Sequence, residues 1–441
     1  MQRKTRRKLF YALVALFLVI GSGVVFYAEG WRWNFGDWRP EKVGEIYVRS
    51  YPSDATLSLN GKPVKNQTGF LSPGTLITDL LPRTYDLALN HPGYEPWHEK
   101  ASVLPAEVAQ FTYAVLVPKE AVSVATSSIN AFALTAAGPL SVAMNGDIVA
   151  MNQNISLGAG TIIDANPHTT AVILQRPSRA YVLRDIVAST TINLSSLFSA
   201  NGINLGTATN VTISPYDATL AIAGNQSHVW LMNLATQGIV RAENAAPGYI
   251  FEKPSAFPRG VAWSMFQTSK NVSSVRWYDD SSGLARQNTS IIPGQTEKLG
   301  IISGFTFAVL QNDGELYRYN ASTDSFTKIA DDVVNFGVSP DGTMLAAVER
   351  ASMEIFSLKT NDYWRLNLAD ENNVEGIAWY RDDTHLFIIY PDRVAFLDLN
   401  DAALANFTTV TQGSSPAYDA SANALYAIDP KKHLARFDFP D

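Results

Sequence analysis

The chain begins with five basic residues among its first eight and then runs for twenty residues without a charge. From Leu9 to Ala28 the sequence reads LFYALVALFLVIGSGVVFYA. At 1.5 Å rise per residue, a helix of that length covers about 30 Å, the thickness of the hydrocarbon layer. Lipid offers no partner for open backbone N–H and C=O groups, so the run is expected as one transmembrane helix. Arg3, Lys4, Arg6, Arg7 and Lys8 precede it, and only Arg32 and Arg39 follow soon after. That bias predicts a cytoplasmic amino terminus (residues 1–8), with the bulk of the chain extracytoplasmic. Trp31, Trp33, Phe35 and Trp38, in a juxtamembrane linker over residues 29–44, read as an aromatic belt at the outer interface. A cleaved signal peptide is the rival reading: residues 9–20 would be its apolar region and Gly21-Ser22-Gly23 its small-residue cleavage site. Against cleavage, Val24 to Tyr27 continue the apolar run and make a poor mature terminus. Both readings export the remainder.

From residue 45 the pattern changes to short alternating runs. IYVRSY, ATLSLNG, TYDLAL and FTYAVLV each alternate apolar and polar positions, the period of a half-buried strand. Asn60-Gly61 between them is a type I′ hairpin signal, and Ser72-Pro73-Gly74 and His91-Pro92-Gly93 mark further turns. Residues 45–118 are therefore expected as a small antiparallel β-sandwich.

The same residues resemble a known family. Pro52-Ser53-Asp54-Ala55, then LSLNG, then Leu81-Pro82 with Tyr85, then Pro92-Gly93-Tyr94 are similar to the motif order of a PEGA domain. Asp54 and Arg83 stand where that family's pattern has glycine. The resemblance covers about one sixth of the chain. It implies an extracytoplasmic β module of bacterial surface proteins, with motif residues that are structural and a suspected role in binding envelope polymers or proteins.

Residues 119–441 hold almost no long amphipathic helical pattern. Segments beginning at Asn210, Val334, Glu375 and Ser414 align with one another as strand, turn, strand, polar turn, strand. Leu345, Leu386 and Leu425 stand 41 and 39 residues apart, and Leu220 lies 125 residues before Leu345. A period near 40 with several strands per unit predicts a β-propeller of about seven blades, with six or eight allowed. The stretches near residue 270 and over residues 193–210 read as insertions. Ser339-Pro340-Asp341-Gly342, followed by a strand containing Leu345-Ala346, resembles the WD40-like repeats of periplasmic TolB-type propellers. The final repeat stops just short of Asp441, so its outer strand is expected from residues 121–126, AVSVAT. The fold class is thus all-β: a transmembrane helix, a PEGA-like sandwich and a propeller.

Composition removes several kinds of chemistry. The 441 residues include no cysteine, which excludes disulfides, thiolate metal sites and Cys nucleophiles. Net charge is −7, and without the five amino-terminal basic residues the rest sits at −12, so nucleic acid is not expected as a partner. The six histidines form no HxH or HExxH pattern and read as surface or turn residues. No nucleophile elbow, phosphate loop or calcium loop occurs. Asp279-Asp280, Asp331-Asp332 and Asp382-Asp383 are adjacent acids that could serve a glycosidase, but their turn contexts favour local backbone capping. Trp277-Tyr278, Tyr363-Trp364 and Trp379-Tyr380 would stack on sugars or anchor a protein if exposed, and would fill space between blades if buried.

No catalytic, cofactor-binding or metal-binding residue is assigned, and no cofactor is expected. The sequence reads as a non-enzymatic, membrane-anchored binding or scaffold protein of the bacterial cell envelope. Its partners are the membrane through residues 9–28 and an envelope polysaccharide or protein, with the six aromatics above as candidate contacts. A propeller-type glycan or peptide hydrolase or lyase is the alternative, and a structural stalk of a larger assembly the second.

Overall fold

The computed structural model describes residues 3–67, 73–124, 127–350, 352–368, 374–399 and 407–441, with side chains from Arg6 onward. The expected turn residue Ser72 and the end of the expected strand, Ala125 and Thr126, lie outside the described residues. Among the described residues the chain is all-β apart from an amino-terminal helix, one short helix and one 3₁₀ turn. It divides into two compact units, one holding most of residues 1–120 and the other most of residues 121–438.

Helix α1 (Arg3–Ala28) opens the first unit. Its stretch Arg6–Ala28, 23 residues whose most apolar 18-residue window has a mean hydropathy of 2.5, is long and apolar enough to cross a membrane. The stretch read as a linker is not extended chain. It folds into the hairpin β1 (Trp31–Asn34) and β2 (Arg39–Lys42). Beyond it, β3 (Gly44–Tyr51), β4 (Thr56–Leu59), β5 (Lys62–Val64), β6 (Thr75–Leu80), β7 (Thr84–Asn90), β8 (Trp97–Ser102) and β9 (Val108–Val115) form two sheets. One has the order β6-β3-β9 and the other β5-β4-β7-β8. Their inner faces share Ile46, Val48, Leu57, Tyr85, Leu87, Leu89 and Trp97, all nearly inaccessible.

Asn60 and Gly61 join β4 to β5 with φ of 50° and 73°, the two left-handed residues of a type I′ turn. The sandwich is not wholly antiparallel, because β9 pairs with β3 in parallel. Alternation reveals which face a residue occupies and is silent on strand direction. Neither Asp54 nor Arg83 adopts a positive φ, so the backbone at these two positions does not require glycine. Asp54 instead lies 3.3 Å from His91, and the Arg83 guanidinium covers the Tyr85 ring.

The second unit begins with β10 (Val122–Ser123). Eight sheets of at least four strands then follow one another among the described residues. Sheet 1 spans residues 129–159, sheet 2 161–193, sheet 3 210–244 and sheet 4 249–293. Sheet 5 spans 296–330, sheet 6 335–367, sheet 7 376–411 and sheet 8 414–438, the last completed by β10. Within each sheet the strands pair in sequence order, except that Ile292–Pro293 pairs with the third strand of sheet 4 and β10 joins the last strand of sheet 8. First strands of neighbouring sheets stand side by side in sheets 1 and 2, 2 and 3, 4 and 5, 5 and 6, 6 and 7, and 8 and 1.

Second strands such as Leu220–Gly224, Met344–Val348 and Ala424–Ile428 are buried on both faces or nearly so. They sit inside a sheet that is itself packed between two others, so they read as continuous apolar runs. The aligned leucines Leu220, Leu345, Leu386 and Leu425 all occupy this strand and are at most 3% exposed. Apolar wedges join sheet to sheet. Leu140 and Ile148 meet Val172 and Leu174 between sheets 1 and 2, and Trp277 meets Phe307 and Tyr319 between sheets 4 and 5. Ile129 and Leu134 of sheet 1 share a cluster with Tyr426, Ile428 and Leu434 of sheet 8.

The two stretches read as insertions differ. The one near residue 270 is only the tight turn between the second and third strands of sheet 4, with Asn271 at φ 54°. The other does carry extra structure, a helix (Leu194–Ala200) capped by the Asn193 side chain, which accepts from the Ser196 N–H at 2.9 Å. Its Leu194 and Phe198 are fully buried between sheets 2 and 3.

Candidate functional site

Register irregularities in this unit fall on first strands and, in sheets 1, 3 and 5, between the third and fourth strands. Register shifts interrupt the first strands of sheets 1, 2, 4, 5 and 8. A bulge bends a strand and re-aims its side chains. The shift in sheet 4 falls between Glu252 and Ser255, where Lys253 has φ 49° and Pro254 lacks a donor for the ladder. A long side chain held in the left-handed region is uncommon and marks a position that its surroundings over-determine.

Around this bulge, polar side chains link neighbouring first strands. Gln295 Nε2 donates to Glu252 Oε1, and Lys253 Nζ lies 3.6 Å from Glu297 Oε1. Lys298 Nζ donates to Asn335 Oδ1 at 2.8 Å and to the Phe336 carbonyl at 2.7 Å, with the Phe336 ring also close. Asn335 Nδ2 in turn donates to the Glu375 carbonyl at 3.0 Å. The wall thus runs from sheet 4 to the threshold of sheet 7.

Two of its charges are perturbed. Burial pushes the Glu252 carboxyl above the usual carboxylate range, against the lowering effect of the Gln295 amide. Its Oε2 is buried with no hydrogen-bond partner. Lys298 stays within reach of water, yet protein crowds its ammonium, and the lost hydration lowers its pKa below that of an ordinary lysine. Both shifts move toward neutrality, and perturbed groups gathered on one surface are a pointer to function.

Two cavities adjoin. One of about 500 Å³ is lined by Asp164, Tyr181, Asn210, Thr212 and Pro254, among others. The second, about 440 Å³, shares Ile163 and Asp164 with it. Asp164 Oδ2 accepts from Thr212 Oγ1 at 2.7 Å and from the Ile213 N–H at 2.9 Å, fastening sheet 2 to sheet 3. A further cavity of about 590 Å³ lies beside Glu349, Arg350 and Arg365. There Arg365 is engaged by Glu349 and Ser352, so much of its charge is satisfied internally.

The sequence-predicted aromatics do not assemble into a binding face. Trp277 and Tyr278 are 5% and 6% exposed, in the wedges on opposite sides of sheet 4. Trp379 and Tyr380 are 8% and 2% exposed, and the Tyr380 ring meets His385, Phe387, Phe396 and Tyr418. These four fill space between sheets, because a sheet packed between two others has both faces covered. Tyr363, which lies against Phe356, is exposed and Trp364 half-buried, consecutive on the outermost strand of sheet 6. They therefore point to opposite faces and cannot form one platform.

The acid pairs serve their turns. Asp279 accepts from the Ser281 N–H and Oγ, at 3.1 and 2.7 Å, and these bonds hold its pKa down. Asp331 pairs with Lys328, and Asp332 supplies a positive φ. Asp382 caps the Thr384 and His385 N–H groups, while Asp383 accepts from the Asp341 N–H. His385 is no surface residue: it is fully buried between Asp382 and Asp398. Among the described residues no three His, Cys, Asp or Glu side chains gather as a metal site would need. Sequence reasoning passed over Glu252, Lys253, Lys298 and Asn335, which look like ordinary solvent-face residues of strands. The one local signal was Lys253-Pro254 inside an otherwise strand-like run.

No protein-family model matches this chain, and no curated protein matches it. A solved structure of an oligogalacturonate lyase in complex with manganese aligns with 62% of this chain and 86% of its own, at 10% sequence identity and a TM-score of 0.44.

Proposed function

We propose that this chain is a membrane-anchored, extracytoplasmic binding platform of the bacterial cell envelope. Helix α1 spans the membrane with its amino terminus in the cytoplasm, and residues 45–118 form a PEGA-like module. The eight sheets close into an eight-bladed propeller. Support for closure comes from the cluster shared by sheets 1 and 8 and from β10, which pairs with the last strand of sheet 8. The ligand is a polar polymer segment, a sugar chain or an extended protein loop, held along the first strands of sheets 4 to 6. The observation that carries this is the linked series Glu252–Gln295 and Lys298–Asn335, which places donors and acceptors along one wall, with the cavity that Pro254 lines at its sheet 4 end.

The test is retention of the full-length protein on purified envelope polysaccharide and on envelope protein fractions. Lys298→Met and Glu252→Leu are expected to weaken retention about tenfold each, the effect of losing a charge-assisted contact. Unchanged retention in both variants would remove the wall from the binding surface. The topology carries its own expectation. A tag after Asp441 should be cut by protease added to intact cells, and one before Arg3 should be spared. A protected carboxy terminus contradicts the placement.

The opposite shifts of Glu252 and Lys298 favour a second reading, a propeller-type hydrolase or lyase in which these two groups move protons. New chain ends released from a polysaccharide by the wild type, abolished in Lys298→Met with retention intact, would decide for catalysis.

A further inference from the structure

The hairpin β1–β2 is amphipathic in a way that its sequence does not display. Its register sets Trp31 opposite Lys42 and Trp33 opposite Pro40, so these four share one face. Arg32 and Glu41, with Asn34 and Arg39, share the other. The polar face satisfies itself: Arg39 donates to Glu41 Oε1, and Asn34 Nδ2 donates to Asp37 and Glu41, each at 3.1 Å. The apolar face and tip do not. Trp33 is 48% exposed, and Phe35 and Trp38 at the tip are each 75% exposed.

Three rings bare to water on sixteen residues of chain call for an occupant, and continuity with the helix names it. The Phe26 ring, in the last turn of α1, stacks on Trp31 at 5.2 Å. The Gly30 carbonyl accepts from the Val43 N–H, closing the hairpin against the helix end. Arg32 then ties three parts together. Its guanidinium lies 3.5 Å from the Tyr27 ring centroid, donates to the Tyr27 carbonyl at 2.8 Å and pairs with Asp79 of β6 at 2.5 Å.

We propose that the β1–β2 hairpin is a lipid-docking foot, seating Trp33, Phe35 and Trp38 in the interfacial layer of a phospholipid bilayer. It rests on the membrane-anchored reading above. Indole and phenyl rings are favoured at headgroup depth, where an apolar body and a polar edge are both accommodated. Through Arg32 and Asp79 the foot also fixes the angle at which the sandwich stands on the membrane, which an aromatic belt on a flexible linker would not do.

The full-length protein in phosphatidylcholine vesicles brominated near the headgroup tests this. No tryptophan precedes Trp31, so the helix itself is silent; six of the nine tryptophans lie beyond the hairpin and give a constant background, and the quenched fraction reports the hairpin. A quenched fraction is expected in the wild type, reduced about twofold or more in the double variant Trp33→Phe/Trp38→Phe, which keeps the rings' hydrophobicity and removes two of the hairpin's three fluorophores. Equal quenching in both proteins, or none in a chain that floats with the vesicles, overturns the foot and leaves the anchor intact. A chain that fails to float overturns both.

Discussion

Replacing residues 121–124 by a Gly-Ser stretch of equal length is expected to abolish the cooperative melt of the whole second unit. Among the described residues, Val122, Ser123 and Val124 make the contact. Val122 and Ser123 lie opposite Arg436 and Ala435, and the Val124 N–H donates to the Leu434 carbonyl at 2.9 Å. The effect is large because of where they lie. The last strand (Leu434–Asp438) is buried at Leu434, Ala435 and Phe437, so stripping its partner presents a hydrophobic edge to water. Val124 also packs into the cluster that joins sheets 1 and 8. On the closed-ring reading, β10 completes the last sheet beside the cluster that joins the first and last repeats. Losing it opens the ring at that joint. The melting temperature of the second unit should fall by about 10 °C or more, with aggregation on heating, while the transition of the sandwich stays in place. A second unit that still melts within about 2 °C of the wild type would mean that the sheets hold together without this strand.

That strand was readable in the chain because it answers a local question: a final repeat one strand short needs a donor, and AVSVAT alternates. The turn at Asn60-Gly61 was readable for the same reason, since its chemistry lies in two adjacent residues. The number of sheets was harder. Sheets 1 and 2 lack the Ser-Pro-Asp-Gly turn of sheet 6, and the helix at residues 194–200 stretches one repeat, so eight sheets divide the region less evenly than the leucine spacing implies. The aromatic pairs show a different limit. Alternation tells which face of a strand a ring occupies, but between sheets packed on both sides neither face is solvent. Trp277 and Tyr278 point opposite ways and are both core.

The first-strand wall was invisible for a related reason. Glu252 and Lys298 sit 46 positions apart in sequence, and each alone looks like the polar half of a strand. What distinguishes them is the crowding that shifts both, together with a bulge that appears only when the pairing register is known. His385 is the sharpest instance. Asp382 three residues before it is an ordinary turn signal, whereas Asp398 reaches it only through the pairing of the second and third strands of sheet 7.

That buried histidine carries the other large expected effect, a loss of stability at alkaline pH. His385 Nδ1 lies 2.7 Å from Asp382 Oδ2, and Nε2 lies 3.6 Å from Asp398 Oδ2, a charge contact longer than a hydrogen bond. The Phe396 ring stacks on one face at 4.9 Å and Tyr380 meets the imidazole edge-on. Burial works against the charged ring, but the two carboxylates outweigh it and raise the pKa from 6.5 to about 9. Because the folded value lies above the unfolded one, the stabilisation is complete below pH 6.5 and is lost as pH rises through about 9. The span corresponds to about 3 kcal/mol. Tyr380 is pushed up to about 12 and Tyr418 higher still, both by burial, so neither neighbouring phenol titrates in that window. His385→Leu leaves two buried carboxylates without the cation between them, at a cost of about 3–5 kcal/mol at neutral pH. Thermal melts of wild type and His385→Leu from pH 6 to 10 should therefore differ by about 5–10 °C at the acidic end and converge above pH 9. Subtracting the two profiles cancels groups common to both proteins, Lys298 included. A gap that stays constant across the range would mean that the ring is neutral in the fold, and that Asp382 and Asp398 hold it by hydrogen bonding alone.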